Sequence, residues 1–226
     1  MPHTRVDIKV REREPLTRQR ILHAALELMD REGVEAVSMR RLGRELGVEA
    51  MSLYHHVEDK GALLVGVIET AFEEFHLPED TPRHWIERLR ALGVEFRRLL
   101  LEHPGVMRLM AEDHGPPTSA AAYDPMEAAL STLRSAGLSP EATMHAYQSL
   151  VGFVMGHVTL EIGGLFAQVE KKAHWADLEG FLREQAPGRF RSMIEMAPYL
   201  MYCDSQAEFE YGLDMLLAGL EAKLGA

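Results

Sequence analysis

Residues 38–64 read SMRRLGRELGVEAMSLYHHVEDKGALL, and the local chemistry of this stretch sets the expected fold. Ser38 suits an N-cap, since its hydroxyl can accept from a free amide of the first turn. Val37 and Leu42 stand at the N′ and N4 spacing of a hydrophobic staple. Leu42 and Leu46 share one helical face, and Gly43 presents no side chain where another helix can cross. Gly47 marks the stop, where the backbone turns through positive φ. A second helix is predicted from about Glu49 to Val57, with Leu53 and Val57 inward at i and i+4. Ala50, Met51, Ser52, Tyr54 and His55 are then left outward on a rod whose width fits the DNA major groove. Asp59 caps a third helix that opens with Lys60, and a helix N-terminus beside a lysine favours a phosphate. A helical hairpin inside an ordinary bundle would show the same glycine turn. Against that reading stand Arg40, Arg41 and Arg44 on the first helix, and the small, hydrogen-bonding outer face of the second.

The run GVEAMSLYHHVEDKGALL resembles the DNA-reading segment of the tetracycline-repressor (TetR) family, through Leu53-Tyr54-His55-His56-Val57 and Lys60. The preceding helix, Leu16 to Glu32, with Arg31-Glu32-Gly33-Val34 at its end, is similar to that family too, and the resemblance covers roughly residues 17–70. It implies an all-α chain: an N-terminal three-helix helix-turn-helix domain, then a C-terminal helical domain for effector binding and dimerisation. The implied function is a ligand-responsive regulator, a repressor that binds a palindromic double-stranded DNA operator as a homodimer and leaves it when a small-molecule effector binds. No cofactor and no catalysis are implied. Residue by residue, Arg40 would reach a base edge, and Ala50, Met51 and Ser52 would face bases or thymine methyls. Ser38, Tyr54, His55, His56 and Lys60 would hold phosphates and set register. The tetracycline repressors begin their reading helix with an amide followed by proline, whereas this chain has Ala50-Met51. Alanine cannot make a bidentate adenine contact, so a different operator is expected.

The charge distribution agrees with a DNA-facing end. The chain of 226 residues carries a formal net charge of −11. Residues 1–65 are balanced, with eleven basic and eleven acidic side chains, and the whole excess lies in residues 66–226. Such a field orients a protein on DNA. The single cysteine, Cys203, cannot close an internal disulfide and fits a reducing cytosol. The first residues, MPHTRVDIKVRERE, lack the apolar core of a signal peptide. A cytoplasmic protein is expected.

Outward from the quoted stretch, residues 1–16 read as a basic arm, 17–77 as the DNA-binding domain with its linking helix, and 78–226 as the second domain. Thr17 caps the first helix, whose buried stripe is Ile21, Leu22, Ala25, Leu28 and Met29. Beyond residue 78 all segments read as helix. Pro82 opens one to Glu102, and another runs from Val106 to Asp113. Asp124-Pro-Met-Glu127 and Ser205-Gln-Ala-Glu208 read as capping boxes. Ser139-Pro140 begins the longest helix, to about Lys172. Tyr147 to Val169 is nearly all apolar, but Gln148, His157, Glu161 and four glycines argue against a membrane span. Gly152 and Gly156 make a smooth strip, and a homodimer is expected on residues 139–172 and 205–224.

Nine of the thirteen methionines lie beyond residue 100, and methionine suits a cavity that adapts to a largely apolar ligand. Met107, Met110, Met144, His145, Phe153, His157 and Glu161 are the candidate ligand residues, and Phe166, Trp175, Phe190, Tyr199 and Tyr202 lie near them in the chain. Each methionine is equally at home in a helical core. His157 and Glu161, at i and i+4, could chelate, but no third ligand is indicated and HExxH is absent, so no metal is expected. An ungapped alignment puts Met110 where the tetracycline repressors hold a drug-bound metal with histidine, which argues against tetracycline as effector. The competing reading is a helical small-molecule-binding protein or all-α enzyme without specific DNA binding. It lacks a nucleophile with a base; its best cluster, Glu112-Asp113-His114, sits beside a proline loop.

Overall fold

The computed structural model describes residues 15–78, 84–112, 114–163, 178–185, 188–200 and 204–224. All regular structure among them is helical. The order is α1 (Arg18–Glu32), a 3₁₀ turn (Val34–Ala36), α2 (Met39–Leu46), α3 (Ala50–Leu53), α4 (Lys60–Phe72), α5 (Trp85–Glu102), α6 (Pro104–Met110), a 3₁₀ turn (Ala120–Ala122), α7 (Asp124–Ser135), α8 (Pro140–Gly163), α9 (Leu178–Gln185), α10 (Arg191–Leu200) and α11 (Ser205–Leu224). None of these helices is long and apolar enough to cross a membrane.

Helices α1, α2 and α4 begin where local chemistry dictates. Thr17, Ser38 and Asp59 accept from the amides of Arg20, Arg41 and Ala62, at 3.2, 3.2 and 2.8 Å. Gly47 ends α2 at φ 68°, a left-handed conformation that glycine adopts without steric cost. Gly43 is the crossing point: a Cβ there would lie 3.0 Å from the Val48 carbonyl oxygen and 3.2 Å from the Ala50 nitrogen. Both neighbours are backbone and cannot rotate aside, so α2 and α3 are locked in one arrangement. Ile21, Ala25, Leu28, Leu42, Leu53 and Leu63 close over this unit at 0% exposure.

Helix α4 leaves the helix-turn-helix and enters the second packing group. It lies on α1 along one side and approaches α6 and the 3₁₀ turn at Ala120–Ala122 along the other. Helices α5, α7, α8 and α11 pack together around Leu89, Leu99, Leu133, Val158, Phe209 and Leu213.

Several boundaries differ from expectation. The reading helix is shorter than Glu49–Val57: α3 covers Ala50–Leu53, and residues 54–56 form a turn that returns the Val57 amide to the Leu53 carbonyl at 3.1 Å. Helix α5 begins at Trp85, and α6 spans Pro104–Met110 in place of Val106–Asp113. Neither capping box forms. Asp124 is already inside α7, whose N-cap is Tyr123. Asp204 caps α11 through Oδ1, which accepts from the amides of Gln206 and Ala207, so Ser205 lies within the helix. Most of the N-terminal arm, Pro82 itself, and Phe166, Trp175, Tyr202 and Cys203 lie outside the described residues.

Candidate nucleic-acid interface and effector cavity

The outward surface of the helix-turn-helix is polar and open. Met51 is 70% exposed and Tyr54 44%, an unusual use of large side chains on a water-facing surface. Ser38, Arg40, Arg44, His55 and Lys60 are exposed, while Ala50, Ser52 and His56 are half-buried. Leu53 and Val57, at 0 and 4% exposure, anchor the segment from beneath. Arg40 has no hydrogen-bond or ion-pair partner among the described residues, so its five donors are available. Arg41 differs: its guanidinium spans Glu32 at 2.6 Å and Glu45 at 2.5 Å. It braces α2 against α1, and of the three arginines only Arg40 and Arg44 remain uncommitted.

The second feature is a cavity of about 310 Å³ beside α4. Its walls come from α4 (Val65, Ile68, Phe72), α5 (Leu89, Leu92, Phe96), α6 (Leu109, Met110), α7 (Pro125, Met126, Ala129) and α8 (Tyr147, Leu150, Val151, Val154). The loop after α6 adds Gly115, Pro117, Ala122 and Tyr123. Polar groups are few. The Tyr123 hydroxyl donates to the Pro117 carbonyl at 2.9 Å, and burial pushes the Tyr147 phenol above its ordinary pKa. His114 Nε2 is sealed from solvent with Glu112 Oε2 3.2 Å away, but the two are not aligned as a hydrogen bond.

Of the seven ligand candidates from sequence, only Met110 lies on this lining. Met107 takes a weak contact from the Thr159 hydroxyl at 3.6 Å, and Met144 and His145 are exposed on α8. Phe153 stacks on Phe209, with ring centroids 5.5 Å apart. His157 Nε2 meets the Ser205 carbonyl at 3.0 Å, and Glu161 grips Arg97 through both oxygens at 2.8 and 3.1 Å. These groups join α8 to α5 and α11 rather than converging on a ligand. The α8 candidates stand out by polarity or size along one helix, whereas the cavity is lined by Tyr147, Leu150, Val151 and Val154 of that helix. Its true lining is drawn from elements far apart in the chain, and a periodicity reading carries no signal for that.

Two polar clusters tie α4 and the turn after it to their neighbours, and sequence reading identified neither. Glu69, on α4, is 2% exposed; its Oε1 accepts from the Thr118 amide and hydroxyl at 2.5 and 2.8 Å and from the Ser119 amide at 2.8 Å. Its Oε2 accepts from Arg18 Nη2 on α1 at 3.2 Å. Burial works to raise the Glu69 pKa, but the Thr118, Ser119 and Arg18 donors outweigh it and hold the carboxyl below its ordinary value. His103, at the α5–α6 corner, meets Asp30 on α1 at 2.8 Å and Glu74 beyond α4 at 3.2 Å. The ligating atoms of His103, Glu74 and Glu102 lie within 4.8 Å of one another. Both His103 nitrogens are engaged in this ion-pair network, and Arg98 engages Glu102, so the donors already satisfy one another.

Comparison with known proteins agrees with this geometry. The profile described as "Bacterial regulatory proteins, tetR family" matches residues 21–67, and "Tetracyclin repressor-like, C-terminal domain" matches residues 77–224. An HTH-type transcriptional regulator of Saccharopolyspora erythraea is 31% identical over 212 residues, covering 93% of this chain and 86% of its own. The HTH-type transcriptional repressor DrrR1 of Streptomyces coeruleorubidus is 30% identical, over 91% of this chain and 77% of its own. Among solved structures, the TetR family protein ActR of Streptomyces coelicolor in complex with actinorhodin is similar at a TM-score of 0.77 and 31% identity, covering 94% of this chain and 100% of that one. With both halves of the chain matched, an all-helical fold shared with those regulators, and a helix-turn-helix joined to a cavity-bearing domain, the chain belongs to the tetracycline-repressor family and is a DNA-binding, effector-responsive transcriptional regulator rather than an enzyme.

Proposed function

We propose that the protein represses transcription as a homodimer on a palindromic operator and releases DNA when a largely apolar small molecule enters the cavity beside α4. The observation that carries this reading is that one helix serves both sites. Lys60, the first residue of α4, is exposed just beyond the reading segment in the chain, and Val65, Ile68 and Phe72 of the same helix line the cavity. A ligand that prefers a different pose of α4 then changes DNA affinity by its differential affinity for the two poses.

On DNA, Arg40 reads a base edge and Met51 and Ser52 meet bases beside Ala50. Ser38, Tyr54, His55, His56 and Lys60 hold phosphates. The homodimer is supported by α8 and α11, whose outer faces stay uncovered in the single chain. Leu160 and Ile162 are 45 and 38% exposed, Tyr211 and Met215 are 71 and 61%, and a Cβ on Gly152, Gly156 or Gly219 would meet open space. A two-fold assembly also sets two reading helices at the spacing of successive major grooves, about 34–36 Å. The cavity walls, almost wholly aliphatic and aromatic, support an apolar effector, and the structure of ActR in complex with actinorhodin supports a small-molecule one.

The test is recovery of genomic fragments by the purified protein beside a Tyr54→Ala/Lys60→Ala variant. Enrichment of one short palindrome by wild type alone is the expected result. Unspecific recovery by both proteins, or a monomer in analytical ultracentrifugation at micromolar concentration, overturns the reading.

A further inference from the structure

We propose that Glu69 is the joint through which the DNA-binding domain senses the cavity wall, with one carboxylate oxygen holding the cavity loop and the other holding α1. This rests on the reading of the cavity as the effector site and names the coupling element of that site.

The geometry carries it. Thr118 and Ser119 sit in the middle of the loop that supplies Gly115, Pro117, Ala122 and Tyr123 to the cavity wall. Three donors of that pair converge on Glu69 Oε1, two of them backbone amides that cannot reach the carboxylate unless the loop itself stays in place. Arg18 arrives on Oε2 from the first turn of α1, and its approach depends on a bare neighbour: a Cβ on Gly66 would lie 3.2 Å from Arg18 Nη2. Glu69 is buried at 2% exposure, so it cannot exchange a lost protein donor freely for water. When the loop withdraws, the carboxylate must take its compensation from Arg18 or move with α4. Helix α1 packs on both α2 and α4, so either response reaches the reading unit. No direct contact between ligand and Glu69 is required.

Coupling of this kind is reciprocal, so it can be read without the natural effector. In the full-length protein, operator binding changes the hydrogen-exchange rates of the Thr118 and Ser119 amides by about fivefold or more. Arg18→Gln, which removes the charge on the far side of the joint and touches no proposed DNA contact, abolishes that change while operator affinity is kept. Arg18→Lys restores part of it. A purely structural role for Arg18 would alter exchange across α1 and α4 and leave the operator-dependent change at Thr118 and Ser119 in place. That result, or a wild-type loop whose exchange ignores the operator, overturns the joint. Pyrene fluorescence tests the underlying reading separately: binding that Ala129→Leu blocks supports the cavity as the ligand site, and binding that Ala129→Leu leaves intact overturns it.

Discussion

The helix-turn-helix and the cavity domain are both helical, and they treat space in opposite ways. Around α2 and α3 the core is closed, with Leu42 and Leu53 at 0% exposure and Gly43 in backbone contact with the next helix. Around α4, α5, α7 and α8, similar apolar residues leave about 310 Å³ unfilled. The first region gives up adaptability and gains a fixed spacing of polar groups on its outer face. The second gives up packing energy and gains a place where a foreign molecule can complete the core. Rigidity suits a site that must match a double helix, whose shape is given. Incomplete packing suits a site whose occupancy is the signal.

The contrast predicts a graded set of effects. The largest is expected at Leu53→Ala, which opens a void in the closed core and should cost about 2–5 kcal/mol in urea unfolding. Val151→Ala, by contrast, only widens an existing space and should cost about 1 kcal/mol. Equal losses would show that the two regions do not differ in packing. Next, Arg40→Ala should weaken operator binding by about 1–3 kcal/mol and relax preference at one base pair, whereas Lys60→Ala should weaken all sequences alike and lower the salt slope by about one unit. Titrations on matched and mutated operators would separate the two. Filling the cavity with Ala129→Leu should raise stability by about 0.5–2 kcal/mol in thermal melts, with pyrene binding lost.

The smallest expected effect is with pH. At His103 burial favours the neutral ring, but Asp30 and Glu74 outweigh it and raise the pKa above its ordinary value. At Asp30 burial raises the pKa, and the bond to His103 only tempers this. Both shifts mean that the folded pair holds its proton more firmly than the unfolded chain does. The His103 contribution is therefore complete below about pH 6.5 and is lost as pH rises through its raised value, whereas the Asp30 shift acts in the acid range, upward from its ordinary 3.8. Thermal melts between pH 6 and 8 should show that decline, and His103→Gln should flatten it.

What was legible in the chain divides along the same line. The closed region is specified by neighbours a few residues apart, and so its caps at Thr17, Ser38 and Asp59 and its stop at Gly47 could all be read in advance. Even there α3 is shorter than the spacing suggests, because Leu53 and Val57 can both face inward across a turn as well as along a helix. The boxes at Asp124 and Ser205 failed by one residue: proline is tolerated at either of the first two helical positions, and Asp204 was a competing cap. The role of Arg41 depends on Glu32, nine residues away on another helix. The cavity and Glu69 were not legible. Glu69 looks like any polar residue on an amphipathic helix until Thr118 and Ser119 arrive from 49 and 50 positions downstream.

Gly66 stands midway along α4, seven residues from either end counted inclusively, and a Cβ there would fall 2.6 Å from a Leu22 methyl of α1. The helix is about 20 Å long. A rod pressed against its support at the centre can rock but cannot easily slide. Its two arms are equal, so a displacement of about 1 Å at Phe72, on the cavity side, returns as a similar displacement of opposite sense at Lys60. Were α4 to rock about residue 66, outward swelling of the cavity would become an inward tilt at Lys60, inverted but neither amplified nor damped.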